Sequence, residues 1–348
     1  MMTKFISYTR KLLVRTLSLA ALLCMTSCEK FFDYEGDCDP HYFVSFIYDM
    51  NIKGGDAFSS QVSSVDLYVF DASTGRFVAH YAEAGDPLKQ PGYLMPVDLT
   101  PGSYEFLAWC GLANNEGRFN VPSTGQISSI ADLKAVMSRQ YENGNSAFSN
   151  TNLDYNSNGE PCALYHGMID ATLPAEQGTY VYPIHLTKDT NNLIVSIWHR
   201  YGDLDPDTYE IKMVYDGESN LTMGHDNAVL ADEDVTYRPW MQTGGDLDLG
   251  DSPDGKYIKC EISLSRLIDG HSPRIYIYDT AAGEKRLEID FLRYVKAMHS
   301  EVYRQKWGYQ EYLDREDEYS MNIILDSTWA GFQIVINGWH VIENDSQL

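Results

Sequence analysis

Four carboxylates set among glycines form the most metal-like stretch of the chain: GGDLDLGDSPDG (244–255) carries Asp246, Asp248, Asp251 and Asp254. A calcium loop wants carboxylates at alternate positions and a bidentate glutamate at the twelfth. Here the third carboxylate follows the first by five residues and no glutamate closes the run, so the spacing reads as a solvated hairpin loop. ADEDVTY (231–237) reads the same way. Nine histidines are scattered along the sequence, and pairs such as His166 and His185 could meet in the fold. None sits in an HExxH motif, and neither a GxSxG elbow nor a phosphate-binding GxxxxGK loop is present. No catalytic, cofactor or metal residue is assigned, and the chain reads as something other than an enzyme.

One cysteine does have surroundings that assign it a reaction. Lys4, Arg10, Lys11 and Arg15 stand without an acidic residue before a run that is largely apolar from Leu17 to Met25, the layout of a secretory signal peptide. The run is too short for the ~20 residues a membrane-spanning helix needs. It ends in Met25-Thr26-Ser27-Cys28. Small residues before a cysteine at this place resemble the bacterial lipobox, whose thiol is alkylated by diacylglycerol before cleavage makes the cysteine residue one. Cys28 is thus the expected lipid attachment, holding the chain to a membrane more firmly than a single acyl chain could.

Loss of residues 1–27 removes four of the 26 basic groups and none of the 50 acidic ones, so the formal charge goes from −24 to −28. Such a surface repels nucleic acid and anionic headgroups. With 44% apolar and 13% aromatic residues the chain is nevertheless globular. Besides Cys28, the mature chain holds Cys38, Cys110, Cys162 and Cys260. These could form two disulfides in any of three connectivities, and the absence of a CxxC pair argues against a zinc or redox site.

The elements that would position these groups are strands. VSFIYD (44–49), VSSVDLYVFD (62–71) and YEFLAW (104–109) are short aromatic and β-branched runs, separated by turn segments such as DASTGRF and DLTPGSY. A helix is expected over 127–141, capped by Ser128 or Ser129, with Ile130, Leu133, Val136 and Met137 on one face. LIVSIWHRY (193–201) echoes VSFIYD, and IYIYDTAAG (275–283) echoes LYVFDASTG (67–75). The different offsets of these echoes point to two related sandwiches and not to a short tandem repeat. Helical character at 291–303 and a closing strand hairpin at 319–326 and 332–339 complete the pattern. The expected divisions are a signal peptide (1–27), a lipidated tether (28–40), a first β-sandwich (41–187) and a second (188–348).

Several of these segments together resemble a known family. CDPHYFVSFIYDMN (38–51), LYVFD, YEFLAWCG, QEYLDREDEYSMNIILD (310–326), Trp329 and IVINGW (334–339), with the lipobox before them, resemble the fimbrillin-associated anchor proteins of Bacteroidia, the lipoprotein subunit at the base of type V pili. The acidic, aromatic EKFFDYEGD (29–37) also resembles the surface-export signal of Bacteroidetes lipoproteins. The resemblance implies an all-β chain of two transthyretin-like sandwiches with short helical insertions and no enzymatic activity. It also implies an outer-membrane, surface-exposed location, a fimbrial stalk subunit as partner, and a role in fixing the pilus and limiting its growth.

In that system an arginine-specific protease removes a stalk subunit's first strand, and a neighbour's strand fills the groove. Here the first arginine after Cys28 is Arg76, beyond the first strand. That favours a subunit whose own groove stays filled and which donates a strand, most simply Phe332, Ile334, Val335, Ile336 and Trp339 of the C-terminal segment, by β-augmentation. The same alternation also describes a strand completing its own sandwich. A different class of function rests on the 25 tyrosines and six tryptophans: rings on a sandwich face could bind sugars, as in a surface glycan-binding lipoprotein for nutrient uptake.

Overall fold

A computed structural model describes residues 39–114, 118–138, 163–200, 202, 204–216, 218–247, 255–325 and 329–341. The strands of the first half are β1 (His41–Met50), β2 (Ser64–Asp71), β3 (Phe77–Ala84), β4 (Met95–Val97), β5 (Gly102–Cys110), β6 (Phe119–Asn120), β7 (Ala135–Met137), β8 (Tyr165–Leu173) and β9 (Thr179–Lys188). Those that follow are β10 (Thr190–His199), β11 (Tyr209–Tyr215), β12 (Thr222–Met223), β13 (Val235–Tyr237), β14 (Met241–Leu247), β15 (Gly255–Ser265), β16 (Arg274–Asp279), β17 (Glu284–Asp290), β18 (Glu318–Leu325), β19 (Phe332–Ile336) and β20 (Trp339–Val341). A long helix (Phe291–Val302) and a short one (Tyr309–Arg315) lie between β17 and β18. The protein is all-β with helical insertions.

Seven strands pair in the order β3-β2-β5-β8-β9-β1-β4. Because β8 meets β9 at only two residue pairs, the sheet folds over there into two facing layers. Val44, Phe46 and Tyr48 of β1 thereby share a core with Val65, Leu67 and Val69 of β2 and Phe106 of β5. The second sandwich sets a six-stranded sheet, β14-β15-β10-β18-β19-β20, against a four-stranded one, β13-β11-β16-β17. Leu193, Val195 and Ile197 of β10 pack in one cluster with Ile211 and Met213 of β11, Ile275 of β16 and Phe291 of the long helix. The echo of β1 in β10 has a topological meaning: β1 pairs in parallel with β9, and β10 in parallel with β18.

The second echo is a shared turn. Asp71 accepts from the backbone N–H and hydroxyl of Ser73 and Thr74 at 2.7–3.2 Å, and Gly75 follows at φ 65°. Asp279 accepts from the Ala282 N–H at 2.8 Å, and Gly283 follows at φ 71°. Both devices close a hairpin by pairing an Asx turn with a left-handed glycine.

The helix expected over 127–141 is not formed in its described part. Ser129 does cap, with Asp132 completing a capping box, but the turn stops at Asp132 as a 3₁₀ helix. Residues 135–137 become β7, which pairs with β6 and, through Val136↔Thr222 and Ala135↔Met223, with β12 of the second half. Non-local ladder bonds outweigh the local helical periodicity there.

That three-stranded sheet is one of several ties between the halves. Asp189, between β9 and β10 and fully buried, donates its N–H to the Leu164 carbonyl at 2.8 Å and accepts from the Asn227 amide at 2.9 Å. Arg266 holds Asp314 through two bonds of 2.8 Å, donates to the Asn227 carbonyl, and lies 3.9 Å from Asp189. From the short helix, Arg315 donates to the carbonyls of Asp49 and Asn51 at the end of β1, at 3.1 and 3.4 Å. Lys188 pairs with Asp317. The cluster that forms the second core also takes in Phe70, Trp109 and Leu164 of the first half. Burial pushes the Asp189 carboxyl up to about 7, against the opposing pull of Arg266 and Asn227. Burial likewise raises Glu316 to about 7.

Two predictions follow from this packing. Gly111 stands at φ 95°, where a Cβ would lie 2.0 Å from the Ala163 carbonyl oxygen. Gly111→Ala should therefore cost at least about 2 kcal/mol of unfolding free energy, read from the urea midpoint; a cost under about 0.5 kcal/mol would contradict the geometry. Asp189 and Glu316 are held above their ordinary range, so the folded chain binds protons that the unfolded chain has released. Their contribution to stability is complete below about pH 4 and is lost as pH rises to about 7. Denaturant titrations at about pH 5 and pH 8 should show a smaller fall for Asp189→Asn than for the parent; equal falls would mean that Asp189 is already ionised at the lower pH.

Candidate functional site

The C-terminal segment singled out as partner-binding lies in the chain's own sheet. β19 runs antiparallel to β18 with Met321↔Ile336, Ile323↔Ile334 and Leu325↔Phe332 in register. Ile334, Val335 and Ile336 are buried, while Phe332 and Trp339 are half-buried and pack against the second core. IVINGW is not one strand: Asn337 and Gly338 take φ 46° and 79°, a two-residue turn that sends β20 back along β19 with Ile336↔Trp339 and Val335↔His340 paired. Asn-Gly is the strongest short hairpin signal, and the sequence carried it in plain view. The Asn337 side chain pins the turn, accepting from the Ser320 N–H at 2.7 Å and donating to the Glu318 carbonyl at 3.3 Å. The long helix packs beside β19 and β20. β20 is the last strand of the sheet order, so its outer edge carries the ladder groups that β19 does not use.

The opening strand is held from both sides. β1 lies between β9 and β4, with Tyr42, Val44, Phe46 and Tyr48 buried. Arg76 comes after β2, and its carbonyl accepts from the Asp71 N–H at the β2–β3 turn. A cut at this arginine would separate β1 and β2 together from the rest and would not free β1 alone.

The other residues singled out from the sequence fall as follows. Cys28, Cys38 and Cys162 lie outside the described residues, as do Asp248, Asp251 and Asp254; Asp246 pairs with Lys256. Cys110 and Cys260 are buried free thiols, which removes any arrangement in which all four later cysteines are paired. Burial raises both thiols, Cys260 to about 12, so neither is poised as a nucleophile. His166 and His185 keep separate company. The buried His166 ring donates to the His225 carbonyl at 2.8 Å, and desolvation lowers it to about 4; His185 pairs with Asp49 at 2.9 Å. Much of the tyrosine content goes to the cores, where Tyr48, Tyr165, Tyr215, Tyr237, Tyr312 and Tyr319 are fully buried. Among the tryptophans, Trp198 on β10 is exposed. No group of three or more His, Cys, Asp or Glu side chains is arranged to hold a metal among the described residues.

Comparison with known proteins agrees with this architecture. A Bacteroides thetaiotaomicron structure described as a candidate polysaccharide-binding protein is 28% identical, covers 89% of this chain and 100% of its own, and superposes with a TM-score of 0.73. A candidate adhesin from the same organism is also 28% identical, with 88% and 99% covered and a TM-score of 0.73. The fimbrial anchor protein Mfa2 from Porphyromonas gingivalis, at 16% identity, shares the fold, with 87% and 99% covered and a TM-score of 0.60. No curated protein matches the chain. The model of the fimbrillin-A associated anchor proteins Mfa1 and Mfa2 matches residues 34–345, through both sandwiches and the C-terminal hairpin, and the chain belongs to that family.

Proposed function

We propose that this chain is an outer-membrane lipoprotein, held by lipid on Cys28, that fixes a fimbria to the cell surface and limits its growth. The observation that carries the reading is the filled first sandwich. β1 is paired along its length with β9 and over Tyr42–Val44 with β4, and its four inward side chains are buried, so the groove a neighbour's strand would fill is occupied, as suits a subunit at the end of a polymer. Its division at the β9–β10 junction into two transthyretin-like domains, 41–187 and 188–348, fits the same family.

Contact with the stalk subunit is made by strand pairing at the C-terminal hairpin. Releasing β19 would expose Ile334, Val335 and Ile336 at roughly 2 kcal/mol each, whereas the edge of β20 can take a strand without that loss. In this reading Ile334, Val335 and Ile336 hold the hairpin in place, and the half-buried Phe332 and Trp339 reach the partner. A glycan-binding surface has one exposed feature in its favour, the Trp198 ring on β10.

Crosslinking on intact cells, followed by capture through an internal tag that leaves the C-terminus free, should recover a fimbrial subunit. Deleting residues 339–348 should abolish that recovery while the rest of the chain stays folded by circular dichroism. Recovery of a transporter or a glycan in place of a fimbrial subunit would favour nutrient uptake, and unchanged recovery after the deletion would move the contact elsewhere.

A further inference from the structure

The outward face of the β9-β1-β4 layer is apolar in its middle and polar at its rim. Since Tyr42, Val44, Phe46 and Tyr48 fill the core, the alternate residues Phe43, Ser45 and Ile47 point out. Register sets Phe43 between Val181 of β9 and Pro96 of β4, Ser45 beside Pro183, and Ile47 beside His185. Leu94, just before the buried Met95, joins them. Val181 is 45% and Leu94 39% exposed; Pro96 and Pro183 are exposed, and Phe43 and Ile47 half-buried. His41 and Thr179 mark one end, and the His185–Asp49 pair at 2.9 Å marks the other. In a chain of formal charge −24, the carboxylates of these rows stand at the two ends, Asp49 at one and Asp98, just past β4, at the other.

We infer that this face rests on the lipid surface to which Cys28 is tethered. The inference depends on the lipoprotein reading above. What selects a membrane as the occupant is where the tether joins. β1, which carries the centre of the patch, is the first strand among the described residues, and the thirteen steps from Cys28 to His41 span at most about 45 Å. A tether that short presents the face to the bilayer at high effective concentration, so a weak apolar contact suffices. With its carboxylates at the two ends, the middle of the face is spared the repulsion that the rest of the acidic surface meets at anionic headgroups. Pro96 and Pro183 lack the N–H that strand addition uses, which points to contact through side chains.

The test is hydroxyl-radical labelling of the lipidated chain in dioleoylphosphatidylcholine vesicles, compared with the unlipidated chain in solution. Labelling at Phe43, Leu94 and Val181 should fall several-fold on the vesicles, and labelling at Val78 and Trp198 should not change. Val181→Glu, folded by circular dichroism, should still float with the vesicles yet label at Phe43 as the free chain does. Flotation with unchanged labelling at the patch overturns the inference alone. Failure to float with an unacylated Cys28 overturns the lipoprotein reading and the inference with it. Protection in the unlipidated chain that grows with protein concentration marks contact between copies and also overturns it.

Discussion

Parallel pairing of an early strand with a late one is the constraint on which the rest of the structure hangs. β1 has β9 beside it, and β10 has β18. Parallel neighbours cannot be joined by a tight turn and need a long crossover, so each half must run through its other strands before its first strand is fully paired. The first core then closes around β1 from both sides. Removing that strand would uncover Tyr42, Val44, Phe46 and Tyr48, and the proposed role at the end of a fimbria rests on its staying in place. The second sandwich repeats the device and leaves the β19–β20 hairpin at the sheet edge next to the long helix.

The proposed role asks the chain to pass load between its ends, and the junction between the two halves suits that demand. Its ties are of different kinds: the ladder of β7 on β12, the Arg266–Asp314 fork with Asn227 and Asp189, the Arg315 bonds to the end of β1, and an apolar cluster that crosses from Trp109 to Met213. Buried ionic groups of this sort add little net stability over apolar packing, but removing one partner leaves a costly orphan. Their effect is to penalise every arrangement of the two sandwiches except one.

Much of this was legible in the residues. LYVFD and YEFLAW are strands because their aromatic and β-branched side chains fit a pleated surface, and DASTG and DTAAG are turns because Asp and Gly supply the cap and the positive φ. The long helix follows from the Asp290 cap, whose side chain accepts from the Arg293 N–H, and from the spacing of Leu292, Val295 and Met298. What was not legible was non-local. Residues 135–137 carry a helical pattern, and only their ladder with Thr222 and Met223 makes them a strand. Asp189, Asn227, Arg266 and Asp314 are far apart in sequence and ordinary in type, so nothing in their spacing announces a network. Asn337-Gly338 is a turn signal in the sequence itself, set inside an apolar run whose alternation otherwise reads as one strand.

In the proposed role, lipid on Cys28 is what keeps a fimbria on its cell. The direct measurement is the share of fimbrial protein on washed cells and in the medium when Cys28→Ala replaces the parent at equal abundance. Assembled fimbriae in the medium, with few on cells, are the predicted result. Fimbriae retained on cells at the parental level, with the variant folded and unacylated, would contradict the account.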